Sequence, residues 1–282
     1  MEARTHFVGA SDVPAILGLS PWRTAYEVWL EKTGRLEDKA ESAAMSAGKK
    51  LEAAVLDWAE EQLGPLKRDV TAAIPTTPIL CHPDAMTQGG QPVEAKTSGI
   101  TGRLYGEWGE PGTDEIPDYY VIQCLVQLEA CKAEVCHVPA LLGGRGFVLY
   151  RVPASSSLQQ HIVEHCCQWW NKHVEGDTPP PLERLPELEV LKRVRRVPEK
   201  VIRFEDAQVV ERWLEAKERL RAATVEAEEA QAAVLYALGD AVAAELPDGR
   251  LLTYFEQRRK GYYVKESTFR VLRLIKKGND NA

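Results

Sequence analysis

The stretch between Cys81 and Thr97, CHPDAMTQGGQPVEAKT, constrains the fold more than any other part of the sequence. Its Gly-Gly pair lies between two runs with strand character, which is the usual signature of a β-hairpin. We expect a first strand over Ile79–Met86, a turn over Gln88–Gln91 and a return strand over Pro92–Thr97. The hairpin is therefore the predicted centre of a sheet.

Three charged side chains come together on this hairpin. Glu94 and Lys96 share one face of the return strand because side chains alternate along a strand, and Asp84 lies across from them. Two carboxylates hold a hard cation such as Mg²⁺, and a lysine beside the cation polarises water or stabilises an oxyanion. This pattern is typical of a metal-dependent hydrolase. A solvated Glu–Lys pair beside a Pro-Asp turn fits the same residues, so the decision depends on the neighbouring motifs.

The composition describes an ordinary water-soluble protein. The chain has 282 residues, of which 44% are hydrophobic and 27% charged, enough for one large domain with an appendage. No apolar run approaches the roughly 18–20 residues of a membrane span, and the first residues lack the apolar segment of a signal peptide. We therefore expect a cytoplasmic protein without a membrane partner.

Cysteine spacing and net charge exclude little else. The six cysteines form no CxxC pair, which argues against zinc and against an iron–sulfur cluster. The net charge is −7, an unusual value for a protein that binds DNA. However, the segments 191–203 and 256–260 are locally basic, and net charge does not decide what a local groove binds.

Composition divides the chain into three parts. We expect a mixed α/β core over 1–176, a Pro-rich and basic linker or wrap over 177–204, and a helical arm with a small strand-helix tail over 205–282. Within the core, helices are expected near 43–63, 117–130 and 155–174, and an antiparallel strand pair over 135–152.

The N-terminal region contains several helix signals. Ser11 is a suitable N-cap for a first short helix, and Thr24 with Glu27 forms a capping box for a second. In the third helix, Glu52 lies beside an apolar stripe rather than opposite it. From the sequence, Glu52 belongs either to the rim of the core or to the site formed by the hairpin.

Four separated motifs resemble one known family. Residues 8–34, the segment GKKLE that ends at Glu52, the hairpin with its PD-(D/E)xK pattern, and the Tyr120-to-Gln123 segment occur in the order found in YqaJ-type viral recombinases. This family includes the relatives of lambda-phage exonuclease. The resemblance covers about residues 4–175 and implies a PD-(D/E)xK nuclease core, in which helices flank a mixed central β-sheet.

The resemblance also assigns roles to individual residues. It implies that Asp84, Glu94 and the main-chain carbonyl of Ala95 bind Mg²⁺, with Mn²⁺ as a substitute. It implies that Glu52 supplies a further carboxylate, directly to a second metal or through water. Lys96 would position and activate the attacking water, and Gln123 would hold that water or the scissile phosphate.

A pocket for the terminal 5′-phosphate is implied at the N-terminus. Arg4 and Ser11 stand where the family places this pocket, and His82 stands where the lambda member has a serine. An arginine can bind a phosphate through two donors, and a hydroxyl at a helix start adds a third. Tyr120 is implied as a further contact to DNA. For Ser11, a simple N-cap is the alternative interpretation.

The implied activity is 5′-to-3′ exonuclease action on double-stranded DNA ends. Such an enzyme leaves 3′ overhangs for a single-strand annealing protein during phage-type recombination, and family resemblance adds a trimeric ring around DNA. The host would be a bacterial cell carrying a phage or prophage. Two alternatives remain from the sequence: an endonuclease or repair nuclease with the same core, and a catalytically inactive DNA-binding scaffold.

Overall fold

The computed structural model describes residues 5–37, 43–99 and 107–258, and the chain divides into two compact units. The first unit is Met1–Arg196 and the second is Val197–Ala282. The boundary between them falls inside the linker predicted over 177–204. None of the described helices combines the length and the apolar character needed to cross a lipid bilayer.

Seven α-helices are described. They are α1 Val13–Ile16, α2 Ala25–Lys32, α3 Ala43–Leu63, α4 Asp118–Cys131, α5 Ser156–Trp169, α6 Leu188–Lys192 and α7 Gln208–Leu238. A 3₁₀ turn over Ala10–Asp12 precedes α1, and a π-helical turn over Trp170–Glu175 continues α5.

Ten short or medium strands accompany the helices. They are β1 Leu66–Arg68, β2 Ala72–Ala73, β3 Leu80–Cys81, β4 Ala85–Thr87, β5 Pro92–Val93, β6 Lys96–Ser98, β7 Val135–Leu142, β8 Gly146–Pro153, β9 Ala243–Glu245 and β10 Leu251–Thr253.

The central sheet of the first unit is mixed. β1 pairs with β4, and β4 with β5, both antiparallel. β5 and β6 then run parallel to β7, and β7 pairs antiparallel with β8 along its whole length. Val93 lies opposite His137 and Lys96 opposite Ala140, so β5 and β6 keep one register on β7. They are one strand, interrupted at Glu94 and Ala95.

Helices cover both faces of this sheet. Val93 and Ala85 are buried in one cluster with Leu56 of α3. Glu94, the next residue along the strand, instead bonds to side chains of α4. Because successive side chains point to opposite faces, α3 and α4 lie on opposite sides of the sheet. The expected fold class, a mixed sheet flanked by helices, is therefore confirmed.

The main hydrophobic core lies on the α4 side of the sheet. Its largest fully buried side chains include Tyr150 of β8, Leu125 and Leu128 of α4, and Ile79 beside β3. The N-terminal segment joins this core through Val8, which forms a parallel bridge with Ile79. The core thus fixes α4 against both the N-terminal segment and the sheet.

The second unit contains a long helix and a small hairpin. Its 31-residue helix α7 matches the predicted arm, and β9 and β10 pair antiparallel. Leu238, at the end of α7, is buried. The helix predicted for the tail, near 267–277, lies outside the described residues.

Two local expectations are wrong. The first hairpin strand, expected to be continuous over Ile79–Met86, is split: β3 pairs with β2, whereas β4 pairs with β1 and β5. Pro83 lies in the break, and proline has no N–H to give to a sheet. Ser11 is not an N-cap, because it lies inside the 3₁₀ turn and the carboxylate of Asp12 accepts the Gly9 N–H.

Other local expectations are confirmed. Helix α3 has the predicted bounds, and the β7–β8 pair matches the strand pair predicted over 135–152 to within one residue. The capping box of α2 is present, since Glu27 N donates to the Thr24 hydroxyl and Thr24 N donates to the Glu27 carboxylate. In these places the local chemistry and the tertiary packing require the same structure.

Candidate active site

Glu94 is at the centre of a buried hydrogen-bond network. Its side chain is nearly inaccessible to solvent, although it carries a carboxylate. Oε1 accepts hydrogen bonds from Lys96 Nζ at 2.5 Å and from Gln123 Nε2 at 2.5 Å, and Oε2 accepts one from Gln127 Nε2 at 2.6 Å. A carboxylate offers about four acceptor positions. Three are therefore used within the protein, and one remains for another group.

The interruption between β5 and β6 brings Asp84 to this network. Ala95 lies in the interruption, and its N–H donates to Asp84 Oδ2 at 2.7 Å. This hydrogen bond connects the two arms of the hairpin beside Glu94. The strand break is thus the local feature that lets Asp84 and Glu94 lie at one place, as the sequence predicted.

The two carboxylates oppose each other electrostatically. Burial and the nearby charge of Glu94 raise the pKa of Asp84 to about 8, against the lowering effects of Lys96 and the Ala95 N–H. A raised carboxyl pKa means that the negative form lacks enough positive charge around it. Asp84 and Glu94 therefore form a site with excess negative charge, which a bound cation would stabilise.

Lys96 is held in its charged form. Burial alone would lower its pKa, but Glu94 and Asp84 outweigh burial and hold the pKa above the usual range for lysine. Its Nζ also donates to Gln123 Oε1 at 3.2 Å and lies 4.7 Å from the ring centroid of Tyr120. Within this network, Lys96 is therefore a hydrogen-bond donor that carries a positive charge.

One face of α4 supplies most of the polar partners. Tyr120, Gln123 and Gln127 follow each other at helical spacing, so their side chains point toward the same side. Both glutamines are buried, and both contact the carboxylate of Glu94. The helix begins after Pro117, which occupies its N-cap position.

Gln127 is the site residue that the sequence did not identify. Its position on the same helix face as Gln123 was visible, but no motif assigned it a contact. It is nearly fully buried, and its amide oxygen accepts a weak bond from Cys136 Sγ at 3.8 Å. A glutamine one helical turn after a site glutamine was the only available signal.

Glu52 lies at the edge of the site. It is exposed on α3, and its negative charge contributes to the raised pKa of Asp84. It forms no part of the hydrogen-bond network around Glu94. The sequence left open whether Glu52 belongs to the rim of the core or to the hairpin site. In the structure, Glu52 is exposed and lies close enough to Asp84 to affect the pKa of that carboxyl.

The residues of the predicted phosphate pocket are only partly described. Arg4 lies outside the described residues, and Ser11 is exposed. His82 is exposed, its Nδ1 lies 3.1 Å from the hydroxyl of Thr71, and its ring lies 5.9 Å from that of Phe7. The N-terminal segment therefore passes beside His82, which lies two residues before Asp84 in the chain.

The donor set suits a cation that retains water. Within residues 5–37, 43–99 and 107–258, no three Asp, Glu, His or Cys side chains gather closely enough to bind a metal by themselves. Mg²⁺ is commonly held by one or two carboxylates while it keeps several waters. Asp84 and Glu94, with their excess negative charge, fit that pattern better than that of zinc.

Comparisons with known proteins find similarity in the N-terminal part of the chain. Residues 1–134 match the YqaJ-like viral recombinase domain. The uncharacterized protein YqaJ of Bacillus subtilis (strain 168) is 30% identical over 183 residues, which is 62% of this chain and 56% of that protein. The chain thus spans about half the length of this curated relative.

A solved structure supports the fold. The alkaline exonuclease LHK-Exo from Laribacter hongkongensis is similar with a TM-score of 0.50 at 18% identity, over 62% of this chain and 91% of that one. A phage-related exonuclease from Haemophilus somnus 129PT gives a TM-score of 0.45 at 12% identity, over 61% and 96%. Residues 1–134 are therefore similar to the YqaJ-like viral recombinase domain, and the fold is similar to that of the alkaline exonuclease LHK-Exo.

Proposed function

We propose that this protein is a metal-dependent deoxyribonuclease that degrades one strand of linear duplex DNA from its 5′ end. The observation that supports this most strongly is the network of Glu94, Lys96 and Gln123 beside Asp84. Phosphodiester hydrolysis needs carboxylates that hold a metal and a positive charge that stabilises the transition state. The two carboxylates and the lysine at this strand break, in a region similar to the YqaJ-like domain, meet both requirements. An inactive DNA-binding scaffold would not need two carboxylates and a lysine buried together at one place.

Asp84 and Glu94 are the residues that would hold the metal, with the Ala95 carbonyl beside them. Mg²⁺, or Mn²⁺ in its place, supplies a nucleophilic water and offsets the negative charge that develops on the phosphate oxygens. Glu52 would contribute its carboxylate from the edge of the site, directly or through water. The hydrogen bonds that Glu94 already accepts fix its orientation before any ligand arrives.

Lys96 and Gln123 act on the reacting groups. Lys96 stays protonated, so it donates a hydrogen bond to the attacking water or to a phosphate oxygen and stabilises the negative charge of the transition state. Gln123 keeps the Lys96 ammonium in place through its amide oxygen. Tyr120, whose ring lies beside the same ammonium, limits its movement and borders the path of the DNA strand.

We assign the selection of 5′ ends to the N-terminal segment together with His82. Arg4, Ser11 and His82 would bind the terminal phosphate, so that the next phosphodiester bond reaches the carboxylates. Removal of nucleotides from that end leaves a 3′ overhang, the substrate of a single-strand annealing protein. By family resemblance, we include a trimeric ring around DNA in the same proposal.

A linear duplex labelled at one 5′ end tests this function. We expect Mg²⁺-dependent release of labelled mononucleotide, faster from 5′-phosphorylated ends than from 5′-hydroxyl ends, and no release in EDTA. Closed-circular duplex of the same sequence is the control and should stay intact. Asp84→Asn protein should release nothing in Mg²⁺, although it should fold as the wild type does.

Three results would contradict the proposal or a part of it. Nicking of closed-circular DNA at a rate similar to that on linear DNA would indicate an endonuclease built on the same core. Absence of cleavage on both substrates, with DNA binding retained, would indicate a binding protein. Equal rates on 5′-phosphorylated and 5′-hydroxyl ends would exclude the proposed phosphate pocket while leaving the carboxylate site in place.

A further inference from the structure

Helix α7 carries a continuous seven-residue repeat on one face. Larger apolar side chains, with one alanine among them, recur every seventh residue; these are Trp213, Leu220, Ala227 and Val234. A second set of smaller side chains also recurs every seventh residue, and each of its members lies four residues before a member of the first set or three residues after one. These are Val209, Ala216, Ala223, Ala230 and Ala237. Alternating steps of three and four residues are the pattern of a coiled-coil seam.

This seam is exposed in the part of the chain that the structure describes. Of its nine positions, only Trp213 is half-buried, with Lys217 Nζ lying 4.9 Å from its ring centroid, and the other eight are exposed. Leu220, at the middle of the helix, is 69% exposed. Isolated helices gain little stability from their own hydrogen bonds, so a long exposed helix with a regular apolar seam needs a second helix.

We propose that α7 pairs in antiparallel orientation with α7 of a second copy of this chain. In that orientation the larger and the smaller positions of the two seams meet. Trp213 then lies opposite the partner's Ala230, and Leu220 lies opposite the partner's Ala223. Large side chains facing alanines let two helices approach closely without voids or overlap.

The remaining layers of the seam fit the same register. Ala227 lies opposite the partner's Ala216, and Val234 lies opposite the partner's Val209. A parallel pair would instead place Trp213 against the partner's Trp213 and alanine against alanine. In a parallel pair, the tryptophan layer would therefore hold the two helices too far apart, and the alanine layer next to it would be loosely packed.

Charges beside the seam favour the same orientation. Arg219 and Glu226 occupy equivalent flanking positions, so an antiparallel pair places Arg219 of each helix near the partner's Glu226. A parallel pair would place Arg212 near the partner's Lys217, which is repulsive. Within its own helix, Arg219 has only a loose ion pair with Glu215 at 3.9 Å. Arg219 is thus available to a second helix.

The helix that the sequence predicts for the tail differs from the seam in length. A helix over 267–277, as the sequence predicts, would span about 16 Å, whereas the seam from Val209 to Val234 spans about 38 Å. A second α7 matches the full length. The seam contains none of the residues proposed for catalysis, so this association is separate from the nuclease function.

Two matched substitutions in the full-length chain test the seam. Leu220→Asp places a charge in the seam, and Val225→Asp makes the same kind of change on an exposed apolar residue outside it. By sedimentation equilibrium, we expect Leu220→Asp to weaken self-association about tenfold or more. Val225→Asp should match the wild type. Association through other parts of the chain is common to both variants and cancels in the comparison.

A charge exchange tests the orientation. Arg219→Glu and Glu226→Arg should each weaken association by about threefold to tenfold, and the double variant should restore it. Failure of the double variant to recover would contradict the antiparallel register. If Leu220→Asp and Val225→Asp have equal effects, or if neither has any effect, the seam is not an interface between copies of this chain.

Discussion

At the scale of single residues, the side chain of Glu94 has two roles, one as a hydrogen-bond acceptor within the protein and one as a proposed metal ligand. Its carboxylate accepts hydrogen bonds from three protein groups, yet it is also a proposed ligand of the metal. Bonds of this kind fix the direction of a ligand oxygen and tune its affinity for a cation. The buried amides of α4 are therefore as important to the site as the two acidic residues.

Gln127 gives the clearest test of this positioning. Gln127→Met keeps a similar volume but removes the N–H donor to Glu94 Oε2, so we expect the affinity for Mg²⁺ to fall by about tenfold to 100-fold. Calorimetric titration of the protein with Mg²⁺ measures this without DNA. Gln159→Met, a change at another buried glutamine on α5, is the control and should bind Mg²⁺ normally. If Gln127→Met binds Mg²⁺ as tightly as Gln159→Met does, Gln127 does not contribute to metal binding through Glu94.

At the scale of elements, a buried ion network joins the N-terminal turn to α2. Asp12 is almost inaccessible and accepts from Arg23 Nη1 at 2.6 Å, while Lys32 Nζ lies 2.6 Å from its other oxygen. Burial would raise the pKa of Asp12, but Arg23 and Lys32 outweigh burial and hold it below the usual value. The network thus fixes the segment that leads to the proposed phosphate pocket.

This network predicts how stability depends on pH. Asp12→Asn leaves Lys32 buried without its carboxylate, so we expect the free energy of unfolding at pH 7 to fall by about 3–5 kcal/mol. Because the folded pKa of Asp12 lies below its unfolded value, its contribution is complete above about pH 4 and is lost as the pH falls further. Urea unfolding of both proteins at several pH values measures the difference. A constant difference down to pH 3 would contradict the assignment.

The elements also show how far the sequence could predict this site. The bounds of α3, the β7–β8 pair and the meeting of Asp84, Glu94 and Lys96 followed from periodicity and turn residues. The break at Pro83 did not, because strand partners are chosen by tertiary packing rather than by local preference. The hydrogen bond of Gln127 to Glu94 was equally hidden, since it depends on how α4 lies across the sheet.

Ser11 illustrates a different difficulty. Its residue type suited an N-cap, but Asp12 is the next residue and also suits this role. The Asp12 carboxylate accepts a hydrogen bond from the Gly9 N–H and forms ion pairs with Arg23 and Lys32. Asp12 makes no capping hydrogen bond to α1 either. Its contacts with Gly9, Arg23 and Lys32 hold the turn instead, and the local sequence does not reveal these contacts.

At the scale of the whole molecule, the proposed catalytic residues all lie in the first unit. Glu52, Asp84, Glu94, Lys96 and Gln123 precede the boundary at Arg196. The second unit contains the long helix whose exposed seam we assign to association between copies. Catalysis and association are therefore assigned to separate parts of the chain.

A chain ended after Arg196 tests this division. Because the first unit has its own core and sheet, we expect it to fold and to cleave linear duplex with Mg²⁺ at a turnover similar to that of the full chain. Association through α7 should be absent. Circular dichroism confirms folding, and the label-release assay gives the rate. Loss of folding would show that the second unit stabilises the first.

Substitution of Lys96 tests the central claim most directly. Lys96→Gln keeps a hydrogen-bond donor near Glu94 but removes the positive charge that would stabilise the transition state. With saturating Mg²⁺ and linear 5′-phosphorylated duplex, we expect the rate of nucleotide release to fall at least about 100-fold while DNA binding persists. A variant that releases nucleotides at the wild-type rate would show that this cluster of charges is not the catalytic site.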